Sequence, residues 1–212
     1  MRFWKLWLGL ILVLAVVGGG YYALWSVDLR WRPKTIDKHQ AEIAKIVEQS
    51  GWVSPGKTGQ KLYMVSYRTC TDCIRFEKTE FPRLQKAGVD TRVIMIVRPD
   101  KNGVERSTPA ERATVAELWA NRNWALHEAW AEAEPDLWKA PGVPPADGDI
   151  GRTALVEASR KLVADLTPLM KSNGVAFAYP LLIWWDKDGK MRGCACESEK
   201  TYRFIRKELG AR

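Results

Sequence analysis

The arrangement that most restricts this chain lies within residues 61–97: an apolar strand, two cysteines separated by two residues, a helix and a second apolar strand. Residues 61–67 (KLYMVSY) are short, apolar and β-rich, which predicts a strand. Cys70 and Cys73 follow at once. Ile74, Phe76, Phe81 and Leu84 then recur at helical spacing up to Ala87-Gly88, and Pro82 is expected to kink that helix by removing a backbone donor. Residues 91–97 (TRVIMIV) are nearly continuous in apolar character, as in a strand buried on both faces. This order implies a parallel pair joined by a right-handed crossover.

A C-x-x-C alone fits a redox pair, half of a zinc site or a structural disulfide. Placement at a strand–helix junction favours the first. There the backbone N–H groups and positive dipole end of the helix face the first sulfur and favour thiolate, the species that attacks a disulfide. Cys70 is therefore expected to be the exposed nucleophile, and Cys73, one turn further in, the buried thiol that resolves the mixed disulfide. Zinc would need two further ligands, and His39 and His127 show no ligand spacing.

Residues 6–24 hold no charge, long enough to cross a bilayer core, and Trp4, Trp7, Tyr21, Tyr22 and Trp25 flank the segment. A cleavable signal is the competing reading, with Arg2 and Lys5 before the apolar run and Gly18 and Gly20 as small residues before a cut. Length and the aromatics at both ends favour the anchor. The formal net charge is +8, of which +4 falls in the first 34 residues around this segment. That distribution is a membrane signal, and no later basic cluster interleaved with aromatics suggests nucleic acid.

Between anchor and first strand, Ile36, Gln40, Ile43, Ile46 and Val47 predict a helix, and residues 52–60 a loop. After the second strand, Thr108-Pro109-Ala110-Glu111 reads as a capped helix start, with Val115, Leu118, Trp119, Leu126 and Trp130 as one stripe ending at Glu134-Pro135. Another helix is expected from about Arg152, disturbed at Thr167-Pro168 and closed at Asn173-Gly174. Residues 180–185 (PLLIWW) and 190–193 make a hairpin around Asp188-Gly189, and residues 199–209 a final helix.

With these elements in place, the chain resembles the thioredoxin superfamily, in particular exported, membrane-tethered thioredoxin-like and Dsb-type oxidoreductases. The resemblance covers roughly residues 60–97 and 174–209, with a helical insertion between. It implies an α/β thioredoxin-like fold, a central mixed sheet flanked by helices, preceded by one N-terminal transmembrane helix. In that family a cis proline before the third core strand faces the redox cysteines. Tyr179-Pro180 matches it, so the resemblance implies that these two residues flank the thiols and that the Tyr179 backbone binds an extended substrate. This chain has Thr69 where thioredoxins usually have tryptophan, Met64 where they have a buried acid, and Thr71-Asp72 where their spacer is Gly-Pro. Asp72 should oppose thiolate formation, with Arg68 and Arg75 in reach to offset it.

The organisation expected is an anchor with its flanks over residues 1–34, a linker helix and loop over 35–60, and the thioredoxin-like domain over 61–212, with its insertion at about 98–173. The function expected is thiol–disulfide exchange without an organic cofactor, acting on cysteine-containing exported proteins or a redox partner protein. The resemblance further implies a single-pass protein of the bacterial inner membrane with its redox domain in the periplasm. The alternative is a membrane-anchored metal-binding or metal-delivery protein using cysteine thiolates.

Cys194-Ala195-Cys196 adds a second pair. If the strand from Pro180 runs away from the redox helix, the returning strand should bring Gly193-Cys194 back to the same face. A second redox pair relaying with Cys70 and Cys73, a static disulfide and a four-sulfur metal site all fit. Trp119 and Trp130 are expected as core anchors of the insertion, Trp124 and Trp138 as partly exposed, and His127 as a surface or satisfied core residue. Asp147-Gly148-Asp149 lacks the further ligands of a calcium loop.

Overall fold

The computed structural model describes residues 2–211, apart from the side chains of Arg2, Lys5 and Leu6. Two compact units result, one ending at Arg32 and the other beginning at Pro33.

The first unit is the helix α1 (Arg2–Val27) and a 3-10 turn (Leu29–Trp31). Its large apolar side chains from Trp7 to Val27 are exposed. The span Trp7–Trp31 has mean hydropathy 1.9, and this is the one helix among the described residues long and apolar enough to cross a membrane. A helix this long and apolar, with its described large apolar side chains exposed, fits a membrane anchor.

The second unit is built on a five-stranded mixed sheet in the order β1-β5-β4-β2-β3. Its strands are β1 (Lys34–Thr35), β2 (Lys61–Ser66), β3 (Asp90–Met95), β4 (Leu181–Trp185) and β5 (Met191–Ala195). β2 and β3 are parallel, joined through α3 (Thr71–Lys86), while β2–β4, β4–β5 and β5–β1 are antiparallel. Alternation explains how both faces become core. Leu62, Met64, Leu182 and Trp184 project into a cluster with Phe76, Phe81 and Leu84 of α3 and Tyr202 and Ile205 of α7 (Glu199–Glu208). Tyr63, Val65, Leu181 and Ile183 project the other way, onto Ile43 and Val47 of α2 (Gln40–Gln49) and Leu162, Leu166 and Met170 of α6 (Ile150–Ser172). A central strand covered on both sides must be apolar at successive positions, which is the pattern of KLYMVSY and PLLIWW.

Residues 35–60, read as a linker helix and loop, supply more than a connection. Thr35 belongs to β1, Ile36, Ile43, Val47 and Val53 are fully buried, and Val53 bridges Val93 of β3. The edge strand escaped the sequence because two residues show no periodicity.

One expectation about the helices changes. The single stripe over 108–134 is two helices, α4 (Pro109–Asn121) and α5 (Trp124–Glu132). The break falls at Arg122, whose φ is 50°, and Asn123 caps α5 by accepting the Leu126 N–H at 3.0 Å. The Arg122 side chain lies 4.1 Å from the Trp52 ring centroid and donates to the Ser50 carbonyl at 2.9 Å. As the sequence places them, Pro82 lies inside α3, where it is exposed, and Pro168 inside α6, which closes at Asn173. α6 also covers a sheet face, so that part of the insertion is a structural layer. The capping box at Thr108 and Glu111 forms as read, and Asp149 caps α6 by accepting the Arg152 N–H at 2.9 Å.

Candidate active site

The redox helix begins where β2 ends. Cys70 is the N-cap of α3, its Sγ accepting the Cys73 N–H at 3.2 Å, and the two cysteines form a disulfide with their Cα atoms 5.2 Å apart. A sulfur in the N-cap position faces backbone donors and the positive end of the dipole. Cys70 differs from expectation in one respect. It is 3% exposed, against 1% for Cys73, because its sulfur turns into the helix cap. Its neighbours Thr69 and Thr71 are exposed, so it lies one layer below the surface.

The peptide bond Tyr179–Pro180 is cis, the geometry the resemblance implies, and Pro180 leads into β4. The Pro180 carbonyl accepts the Cys196 N–H at 2.9 Å. The Tyr179 ring packs edge-on against Tyr67, centroids 5.1 Å apart, and burial followed by the neighbouring Tyr67 pushes its hydroxyl up to about 12. Arg106 acts on that hydroxyl in the opposite sense.

Cys194 and Cys196 form a second disulfide. Cys194 sits opposite Leu182, and both cysteines are buried in the core cluster that also contains Phe76 and Tyr202. The hairpin therefore returns to the Pro180 end of the sheet, as the strand directions require.

A side chain the sequence marked only as a counter-charge joins the two cysteine pairs. Arg75 Nη2 donates to Asp72 Oδ1 of the redox spacer at 2.6 Å and to the Glu197 carbonyl, next to Cys196, at 2.7 Å. The Tyr202 hydroxyl, then Asp72 and Glu199, hold the Arg75 guanidinium above its ordinary value. Arg68 takes no part in this. It is buried, donates to the Ala133 carbonyl, and lies 5.6 Å from the Trp130 ring centroid, and burial lowers its pKa. Arg75 therefore faces Asp72 alone of the two arginines.

His127 is buried, with Nε2 3.1 Å from Glu77 Oε2, and belongs to the packing between α3 and α5. Trp130 is a core anchor, and Trp119 spans both core clusters while its ring N–H donates to the Met95 carbonyl at 2.7 Å. Among the described residues no group of three or more histidine, cysteine or acidic side chains is disposed to hold a metal ion.

No protein-family model and no curated protein matches the sequence. Solved structures do match the fold. BcfH of Salmonella enterica Typhimurium is 14% identical with a TM-score of 0.54, over 99% of this chain and 91% of that one. A linker-deleted variant of Proteus mirabilis ScsC is 12% identical with a TM-score of 0.51, over 97% and 94%. MdbA of Corynebacterium diphtheriae, described as a thiol-disulfide oxidoreductase, is 16% identical over 71% and 84%, with a TM-score of 0.38.

Proposed function

From a thioredoxin-like fold with a cysteine disulfide at the N-terminus of its first core helix, we propose that this chain is a thiol–disulfide oxidoreductase. The observation that supports it most is the Cys70 sulfur in the N-cap position, accepting the Cys73 N–H. In the reducing direction the Cys70 thiolate attacks one sulfur of a substrate disulfide, forming a mixed disulfide and expelling the first substrate thiolate. The Cys73 thiolate then attacks the Cys70 sulfur and releases the second. Two electrons pass to the substrate, and the enzyme ends as the Cys70–Cys73 disulfide. The reverse sequence oxidises a dithiol. Tyr179 and Pro180 align an extended substrate segment beside the sulfurs, and no organic cofactor takes part.

The anchor and the exchange chemistry together favour substrates among exported, cysteine-containing proteins or a redox partner protein. They also favour a single-pass location in a bacterial inner membrane with the redox domain in the periplasm. Cys194 and Cys196 are read as a second redox pair that relays electrons with Cys70 and Cys73. The Cys196–Pro180 hydrogen bond and the Arg75 link support that reading.

The test is exchange on a disulfide substrate such as insulin. Cys70→Ser should abolish it, and Cys73→Ala should accumulate mixed disulfides through Cys70. Turnover by Cys70→Ser equal to wild type would sink the proposal. The relay component fails separately if Cys194→Ser/Cys196→Ser leaves turnover and the potential of the first pair unchanged.

A further inference from the structure

Arg75 stands between the two disulfides, and its two shortest contacts differ in kind. Nη2 reaches the Asp72 carboxylate of the redox spacer at 2.6 Å and the Glu197 carbonyl at 2.7 Å. The first partner is a charge close to Cys70, and the second is backbone. That backbone is held from two sides. The Cys196 N–H donates to the Pro180 carbonyl at 2.9 Å, and the Cys194–Cys196 bond ties the stretch to the end of β5, where Cys194 lies opposite Leu182. From α7, Glu199 Oε1 lies 3.4 Å from Arg75 Nε, and the Tyr202 hydroxyl faces the guanidinium. Arg68 is turned away to the Ala133 carbonyl, so of these two arginines only Arg75 meets Asp72.

The charge balance at Asp72 therefore depends on a segment outside its own helix. A lone Asp72 carboxylate disfavours the Cys70 thiolate, and a guanidinium held against it removes part of that penalty. The two side chains are 34% and 35% exposed, so their pairing alone is the weak attraction of groups in contact with solvent. A second acceptor at Glu197 fixes the guanidinium in place. Breaking the Cys194–Cys196 bond removes one tie on that acceptor.

We propose that Arg75 is a positioning residue through which the Cys194–Cys196 disulfide favours the Cys70 thiolate and raises the potential of the Cys70–Cys73 pair. The inference rests on the oxidoreductase reading above and requires no electron to pass between the pairs. With the second disulfide closed, Arg75 is held on Asp72 and the first pair is the better oxidant, because its reduced form is stabilised. A pair of thiols can open the second disulfide. Its sulfur–sulfur bond then breaks, each sulfur takes a proton, and the two attacking thiols leave joined as a disulfide, having given up two electrons. Glu197 is then released, Asp72 weighs more heavily on Cys70, and the first pair becomes the better reductant.

The test equilibrates the full chain, in mild detergent at about pH 8, with mixtures of glutathione and glutathione disulfide. Acid quench, alkylation and peptide mass then read each cysteine pair separately. In the wild type the first pair should titrate while the second is still closed. Cys194→Ser/Cys196→Ser should make the first pair about threefold harder to reduce, a potential about 14 mV lower. Arg75→Met should lower it at least as far, and adding the two serines to Arg75→Met should change nothing more. Arg75→Met keeps both disulfides, so it tests the link independently of how well the serine variant folds. With Asp72→Asn in place neither change should move the potential, a result that a merely structural Arg75 would not give. A first pair whose potential ignores both changes would overturn the proposal and leave the exchange chemistry standing. So would a serine effect that survives Arg75→Met, or a second pair that opens before the first. A Cys70–Cys73 pair that does not exchange with glutathione at all would overturn both readings.

Discussion

Removing Arg206 should loosen the redox helix, and the structure sets how much. Glu80 lies on the buried face of α3, two turns beyond Cys73 and one beyond Phe76, and its side chain is 4% exposed. Arg206 of α7 approaches both of its oxygens through Nη1, at 2.8 and 2.9 Å. Beside them Tyr202 packs edge-on against Phe76, centroids 4.9 Å apart, and Arg75 of α3 meets Glu199 of α7 at 3.4 Å, so this pair is one of several contacts that dock α7 on α3. Removing one partner of a fully buried ion pair costs about 3–5 kcal/mol, mostly the burden of an uncompensated charge. Arg206 keeps 25% of its side chain in water, so solvent can reach part of the gap an Arg206→Met variant would leave. We expect about 2–3 kcal/mol, and for a domain of about 180 residues a fall of about 5–10 °C in Tm. Glu80→Leu/Arg206→Met should recover to within about 1 kcal/mol of wild type, because an apolar pair of similar volume requires no desolvated charge. Urea unfolding of the full chain in mild detergent, read by tryptophan fluorescence, measures all four corners of the cycle. An Arg206→Met cost below about 1 kcal/mol, or singles that simply add in the double variant, would refute the reasoning.

A Cβ at Gly51 would land on the Trp119 ring and Cα, so Gly51→Ala should cost about 1–3 kcal/mol in the same unfolding assay; an unchanged midpoint would show that α4 can shift freely. Tyr179 should stay neutral well past pH 10, so the tyrosinate absorbance difference between wild type and Tyr179→Phe should appear near pH 12. Its folded pKa lies above the unfolded value of about 10, so its contribution to stability is complete below pH 10 and lost as pH rises towards 12. The Arg112 guanidinium, through its hydrogen bonds, holds the Asp147 carboxyl below its usual range. That contribution is complete above about pH 4 and disappears as pH falls through the depressed value. Asp147→Asn should therefore be less stable than wild type at pH 7 and match it in strong acid; a constant gap would contradict the pairing.

The four longer strands and the redox helix were legible because each depends on local pattern. KLYMVSY and PLLIWW announce strands covered on both faces, and Cys70 falls where a helix must begin. The cis bond at Pro180 was available only through resemblance, since nothing in the residues themselves sets the isomer. Other features arise from three-dimensional closure and leave no linear trace. Arg75 reaches the backbone of Glu197, 122 positions away. A groove of about 840 Å³ is walled by Thr69, Arg98, Glu111 and Lys139 together, which no window of sequence would group. The break at Arg122 was hidden for a different reason: the apolar stripe runs on across it, and only the left-handed backbone there reveals two helices.

Lys34-Thr35 and Val53 acquire a further meaning from the sheet order. The strands at the two ends of the row are β1 and β3, the places where unpaired N–H and C=O groups invite another chain to add on. At one end the row stops at a two-residue strand that begins with lysine and follows Pro33, too short and too charged to template growth. At the other, the Val53 main chain exchanges two hydrogen bonds, each 2.9 Å, with Val93. One short stretch of chain therefore blunts both open borders of the sheet. A version of the protein trimmed to begin at Lys61 would keep every cysteine and still present two bare edges, and its characteristic failure would be self-association.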